Sequence, residues 1–425
     1  MESFDKIFNT LVLLIGTNPL PNFVVAEFFL INNPALNKIL MIYSEKAQSQ
    51  AGTKKYADNL QELIQKRHKD RILNFIKINL SDVSNAKQIE RDLNEKMKRH
   101  LNETDSIHLN YTGGTKAMVI HTYRWIEKYA SEQNIDVSFS YLDARNYRII
   151  YDDERTTKDL RKDIKLKMEE LIKLHGFELM NETEEFLFKE ALDKFKEIID
   201  NGKLSEYFSN YKREFLTNEK GNLLKKVKFY KERIEKLKEK KIEVKAEGLF
   251  LDVVKSMPEE YRLFNEDGSP KEPLSNKHLE LAIKFLDGKW FERYVYEVLR
   301  KNITGDEITI EINWKFVKPE WKGSSKNFEI DVLIIKGYQL IGISCTTSKE
   351  KGLCKNKGFE IFMRTRQIGG DESRAILIST LKQTKKQDTQ DELEVDTGGK
   401  ENILVLGIED LKEEILSQRI KEYIE

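Results

Sequence analysis

The chain has 425 residues, 39% of them hydrophobic and 34% charged, with 72 basic and 72 acidic side chains in balance. At roughly 150 residues per domain this length suggests two or three domains, and the zero net charge excludes a uniformly basic nucleic-acid binder. The longest aliphatic runs, such as Leu11–Ile15, fall far short of the ~18–20 residues needed to cross a bilayer. Glu2 and Asp5 stand where a signal peptide has its basic start, and two cysteines (Cys345, Cys354) exclude a disulfide framework and a four-cysteine zinc site. A cytoplasmic chain with no membrane partner is expected.

From Leu11 to about Asp153, short apolar runs alternate with helical periodicity. LVLLI, ILMIY, FIKINL, IHLNY and VSFSYL read as strands, and Lys55–Arg67 and Ala86–Arg99 as amphipathic helices between them. This alternation predicts βαβ units and a mostly parallel sheet. Its far end reads as an antiparallel hairpin, VSFSYLD turning through Ala144-Arg145-Asn146 into YRIIY. From about Lys158 to Asn276 the character changes to highly charged helices. Leu223, Val227, Tyr230, Ile234 and Leu237 form one apolar stripe within a stretch, Lys220–Lys245, that holds eleven Lys or Arg against four Glu. The mixing of Lys with Glu favours a solvated connector over a surface that guides nucleic acid by its phosphates.

From about Lys277 onward a second α/β unit is expected. A helical pattern over Leu279–Arg300 precedes the strands ITIEINWKFV, EIDVLII and LIGISCTT. Lys336-Gly337-Tyr338-Gln339 makes a tight turn between the last two. A helix over Gly358–Arg366, the strands AILIS and ILVLGI, and a terminal helix complete it. The predicted organisation is therefore residues 1–155, an α/β domain; 156–276, a charged helical connector; and 277–425, a second α/β domain.

In open α/β sheets, ligands bind beyond the carboxyl ends of the strands. There, after Ile107–Tyr111, comes Thr112-Gly113-Gly114-Thr115-Lys116 and then a helix from Ala117 to about Tyr129. Two glycines expose backbone N–H groups, the helix N-terminus adds partial positive charge, and Thr112, Thr115 and Lys116 add donors. That combination suits phosphate. The first strand runs into Gly16-Thr17-Asn18-Pro19 and the second into Ser44-Glu45. Neither Gly-x-Gly-x-x-Gly nor a P-loop is present, which disfavours a dinucleotide cofactor and ATP hydrolysis.

LLIGTNPLPN with NYTGGTKAM, over about Leu11–Tyr151, resembles the CARF domain, the Rossmann-like sensor of cyclic oligoadenylates in type III CRISPR systems. The resemblance implies a homodimer whose two pockets grip one cyclic ligand, such as cyclic tetra-adenylate. On it, Gly16, Thr17, Asn18, Ser44, Asn110, Thr112, Gly113, Gly114, Thr115 and Lys116 are the expected ligand-binding residues.

Farther along, Asp331 leads an otherwise apolar strand, where an unpartnered aspartate is unfavourable. Glu292 lies on a helix whose apolar neighbours should face the sheet. The segments GKWFERYVYEVL, NFEIDVLIIKGYQLIGISC and KGFEIFMRTRQIGG leading into RAILIS resemble the PD-(D/E)xK restriction-endonuclease-like fold of CRISPR ancillary effectors. This implies Mg²⁺ or Mn²⁺ held by Glu292 and Asp331, and phosphodiester hydrolysis of RNA or DNA. The (D/E)-x-K tripeptide falls at Ser344-Cys345-Thr346, so its acid and lysine are missing. Ser344 is left as a weak ligand, and Lys349, Lys351, Lys355 and Lys357 are candidates for the missing ammonium, with Lys349 and Lys355 the leading pair. Glu360 is a substitute acid, and Cys345 reads as a buried strand residue. The expected function is a cyclic-oligoadenylate-activated, metal-dependent nuclease of antiviral defence. The alternative is a ligand-responsive nucleic-acid-binding protein with an inactive nuclease fold.

Overall fold

A computed structural model of the chain describes residues 7–46, 52–180, 185–211, 213–321 and 327–425. The first sheet takes β1 (Thr10–Ile15), β2 (Lys38–Ser44), β3 (Asn74–Leu80), β4 (Ile107–Asn110), β5 (Val137–Asp143) and β6 (Arg148–Tyr151) in the order β3-β2-β1-β4-β5-β6. Pairings among β1 to β5 are parallel and β5–β6 is antiparallel. The strands with apolar runs pair in the parallel part because helices cover both faces. Those helices are α1 (Leu20–Asn32), α2 (Lys54–Arg67), α3 (Ala86–Asp92) and α4 (Lys116–Gln133). α1 is buried from Leu20 through Leu30, as expected of a helix apolar all round. The helix anticipated to Arg99 loosens after Asp92 into a wider turn over Leu93–Met97 and a 3₁₀ turn over Lys98–His100.

After β6 come α5 (Met168–Leu174), β7 (Glu178–Leu179), α6 (Lys189–Asp200), α7 (Leu204–Asn210), α8 (Val227–Glu239) and α9 (Gly248–Lys255). Tyr230, Ile234 and Leu237 of the expected stripe are buried along α8. The region is more than a solvated arm, because its aromatic residues share a core with the next helices. Phe195 stacks on Trp290 with ring centroids 3.8 Å apart.

The second sheet joins β7 to β8 (Ile308–Val317), β9 (Phe328–Lys336), β10 (Gln339–Thr346), β11 (Arg374–Ser379) and β12 (Ile403–Leu406), in the order β12-β11-β10-β9-β8-β7. Before it lie α10 (Asn276–Lys284) and α11 (Trp290–Asn302), which are joined by a widened turn, Phe285–Lys289. The β9–β10 hairpin turns at Gly337, where φ is +64°. A Cβ there would lie 2.1 Å from the Arg161 carbonyl oxygen, so only glycine fits.

Two sequence expectations are corrected in this half. The helix anticipated over Gly358–Arg366 is α12, Lys351–Gly369, and it begins seven residues earlier. A further helix, α13 (Gln383–Thr397), separates β11 from β12, where the sequence reading passed from strand to strand. The parallel β11–β12 pairing requires such a crossover. α14 (Glu413–Ile424) closes the chain.

One core runs between the two sheets. Tyr147, Ile149, Leu160 and Leu171 cluster with Phe316, Leu333, Tyr338 and Leu340. Polar contacts tie the same seam. Arg161, 3% exposed, donates to the Gln339 side chain (2.8 Å) and to the carbonyls of Ile424 (3.1 Å) and Glu425 (2.8 Å).

Candidate functional site

The glycine loop sits where the parallel strands end. Thr115 caps α4, its Oγ1 accepting from the Met118 N–H at 3.2 Å. Gly113 lies so close to β1 that a Cβ would fall 2.0 Å from the Leu14 carbonyl oxygen. At Gly16 a Cβ would be 3.0 Å from the Gly114 nitrogen, so the β1–α1 and β4–α4 loops touch. Thr17, Thr115 and Lys116 are exposed and Gly16, Gly113 and Gly114 half-buried, so these six present the accessible surface.

The remaining expected ligand residues are engaged within the protein. Asn110 is fully buried, donating to Ser140 Oγ at 3.0 Å and accepting from the Thr112 hydroxyl at 2.7 Å. That hydroxyl in turn accepts from the Leu142 N–H at 2.7 Å. Ser44 is buried, and its N–H donates to the Thr53 hydroxyl at 2.9 Å. Asn110 thus shapes the glycine loop from behind, whereas Ser44 is tied to the start of α2. Asn18 points across the seam. Its Nδ2 donates to Glu372 Oε2 at 3.1 Å, and its Oδ1 lies 3.2 Å from His175 Nε2. Burial raises the Glu372 carboxyl, with the Asn18 bond opposing, and burial lowers His175 to about 4. Gly370, at the end of α12, packs against the Asn18 side chain with φ +72°.

The second centre lies at the far end of the β9–β10 hairpin. Among the described residues, Glu292, Glu329 and Asp331 form one acidic group, each half-buried, with ligand atoms within 4.8 Å of one another. α11 brings Glu292, and β9 brings the other two from alternate positions. Asp331 Oδ2 accepts from the Cys345 N–H (2.7 Å) and from Ser344 Oγ (3.2 Å), so Ser344 braces the aspartate. Burial raises the Asp331 carboxyl, with the Cys345 bond opposing. Glu292 is pushed up to about 8, first by burial and then by the charge of Asp331, with Lys289 opposing. Three carboxylates this close cannot all ionise cheaply.

Lys289, at the start of α11, donates to Glu292 (2.6 Å), to Glu329 (2.7 Å) and to Asn313 Oδ1 (3.2 Å). Burial works against its charge, but the two glutamates outweigh that and hold it protonated. Sequence reasoning missed both Lys289 and Glu329. The signals were present: Glu329 is two residues from Asp331 on one strand, and Lys289 is three from Glu292, facing it on one helical turn.

Three of the four anticipated lysines are engaged elsewhere. Lys349 lies over the Phe208 ring, 4.6 Å from its centroid. Lys351 pairs with Glu392 (2.8 Å) and Asp388 (3.5 Å), and Lys355 with Glu392 (2.9 Å) and Asp396 (3.0 Å), because α12 turns both toward α13. Lys351, Lys355 and Lys357 are thus helical residues and not part of a flexible loop. Lys357 is the one of the four whose charge reaches Asp331. Glu360 sits within α12, exposed and 3.9 Å from Arg364, away from the acidic group. Cys345 is half-buried and Cys354 buried.

Three hard carboxylate oxygens fit Mg²⁺ or Mn²⁺ better than a softer metal. No helix of the described residues is long and apolar enough to cross a membrane.

No curated protein matches the chain. Residues 10–170 match the family model of the Card1 CARF domain. Among solved structures, protein VC1899 from Vibrio cholerae is 15% identical with a TM-score of 0.63, over 97% of this chain and 98% of that one. Can2 from Sulfobacillus thermosulfidooxidans, solved in complex with cyclic tetra-adenylate, is 17% identical with a TM-score of 0.61, over 98% of this chain and 97% of that one. At these identities the likeness is one of fold, and it extends over both sheets. The N-terminal unit is a Rossmann-like CARF domain, followed by a helical region and a second sheet domain.

Proposed function

We propose that this protein is a CRISPR effector whose first domain binds a cyclic oligoadenylate and whose second domain hydrolyses phosphodiester bonds of RNA or DNA with Mg²⁺ or Mn²⁺. Cyclic tetra-adenylate is the proposed activator, since Can2 shares this fold and was solved with that ligand. The observation that carries the nuclease half is the Glu292–Glu329–Asp331 group, which gathers where the second-sheet hairpin meets α11. In the first domain, the N–H groups of Gly113 and Gly114, the Thr115 and Thr17 hydroxyls and the Lys116 ammonium recognise the ring's phosphates. Two copies of that surface meet across a two-fold axis in a homodimer, matching the ligand's symmetry.

In the second domain, Glu292, Glu329 and Asp331 would hold the metal. When bound, it supplies Lewis-acid activation of the phosphate and a water of lowered pKa. Ser344 and the Cys345 N–H hold the Asp331 carboxylate in one orientation. The ligand can activate only by preferring the cleaving arrangement. Asn18, whose side chain leaves the ligand loop for Glu372 in the connection from α12 to β11, supports a direct mechanical link between the domains.

The test is cleavage of single-stranded and duplex RNA and DNA with and without cyclic tetra-adenylate and Mn²⁺. Cleavage that needs both is expected; none with any substrate refutes the catalytic half. One observation favours a second reading: β10 offers Ser344 and Thr346 where an acid and a lysine are expected. A binding protein with an inactive nuclease fold would show ligand-dependent gel shifts without product.

A further inference from the structure

Resting on the metal-site reading above, we infer that the acidic site carries its own resident cation: the Lys289 ammonium is held between Glu292 and Glu329, and a divalent ion must compete with it for those carboxylates. Lys289 Nζ lies 2.6 Å from Glu292 Oε2 and 2.7 Å from Glu329 Oε1. Both acids belong to the three whose ligand atoms converge within 4.8 Å. Each of those bonds uses an oxygen lone pair that a metal would need, and a charge-assisted bond at this length is a strong one.

The position of the ammonium is built. Lys289 follows the kink at Gly288 and is itself helical (φ −62°, ψ −23°), so it opens α11 one turn from Glu292. Asn313, on β8, adopts φ +56°, a left-handed conformation uncommon outside glycine and best tolerated by Asn. Its Oδ1 accepts the third Lys289 bond at 3.2 Å. Three elements (α11, β8 and β9) thus supply acceptors to the one ammonium that the turn before α11 carries.

The charges explain why a resident cation is useful. Without it, three carboxylates would face one another across less than 5 Å. With it, the site folds and stays assembled in the absence of metal, and the cost is weaker metal binding. Two other cations are near: Lys315, 3.7 Å from Glu329 Oε2, and Lys357, whose charge reaches Asp331. Neither takes the position between Glu292 and Glu329, so removing Lys289 should not be compensated in place.

The experiment measures Mn²⁺ binding to the full chain by calorimetry and by the EPR signal of free Mn²⁺, with no activator or substrate. Lys289→Met is expected to bind Mn²⁺ at least tenfold more tightly than the wild type. Lys289→Arg, which keeps the charge, should stay within about threefold of the wild type. Asp331→Asn in the Lys289→Met background should lose the tightened binding, which places the ion at this site. If Lys289→Met binds equally or more weakly while the wild type binds Mn²⁺, the competition is refuted and the metal-site reading survives. If no variant binds Mn²⁺, both fall. A Lys289→Met chain that fails to fold is replaced by Lys289→Gln, with the same expectation.

Discussion

Replacing Glu292 by Gln isolates the electrostatic strain of the acidic group. Glu292 has an ordinary value near 4.5 and is pushed up to about 8. A carboxyl with its folded value raised keeps its proton in the folded state while the unfolded chain has lost it. Stability therefore declines as pH rises from about 4.5 to about 8. A full shift of that size corresponds to roughly 4–5 kcal/mol. The Lys289 side chain at the site is 39% exposed, so water reaches the cluster, and about 2 kcal/mol is a realistic expectation after screening. Gln copies the protonated carboxyl, including an oxygen for Lys289, and cannot ionise. Urea unfolding in EDTA, followed by tryptophan fluorescence, is the assay, since Trp290 and Trp314 both lie beside this site. Glu292→Gln should match the wild type near pH 5 and be about 2 kcal/mol more stable at pH 9. Parallel stability curves, or a Gln variant weaker at pH 9, would show that Glu292 is ionised in the folded protein.

Asp331→Ala should abolish cleavage while leaving cyclic tetra-adenylate affinity unchanged in calorimetry; a loss of both would mean that the substitution unfolds the chain. Lys349→Ala, Lys351→Ala and Lys355→Ala should each keep turnover within about threefold, because their ammonium groups are engaged at Phe208 or on α13. A hundredfold loss in any of the three would restore it as the missing lysine. Gly113→Ala puts a methyl 2.0 Å from the Leu14 carbonyl and should lower activator affinity at least tenfold; unchanged affinity would remove the glycine loop from the pocket. Asn18→Asp sets a second carboxylate beside buried Glu372 and should cost about 2–4 kcal/mol at pH 8, recovering toward pH 5 as the pair takes up a proton. A pH-independent loss would point to packing instead of charge.

Wherever local pattern and burial agree, the fold is legible in the residues alone. LVLLI, ILMIY and IHLNY become central parallel strands because an apolar run with helices on both faces has no other stable place. The Lys336–Gln339 turn pairs β9 with β10 because Gly337 can take a positive φ. Thr115 is readable as a cap, and Gly113-Gly114 as a loop that approaches a strand closely, since both are short-range requirements of the backbone. Asp331 and Glu292 stand out as charges in apolar surroundings.

Tertiary structure decides what lies across elements. α13 escapes a reading by periodicity because its buried positions are Lys386, Thr389, Leu393 and Thr397, mostly polar residues. The first turns of α12 escape it because their buried positions are the small Cys354 and Gly358, while Leu353 is exposed, so no apolar stripe marks the helix there. Asn110 and Ser44 stand at strand ends like ligand residues, yet their hydrogen bonds are satisfied from within, which depends on Ser140 and Thr53. Asn18 reaches a glutamate 354 positions away. Lys289 joins Glu329 across 40 positions, because only the packing of α11 against β9 brings that ammonium into the carboxylates' reach. Local sequence governs which residues can bear charge at a strand end; which charges meet is a property of how the sheets and helices pack.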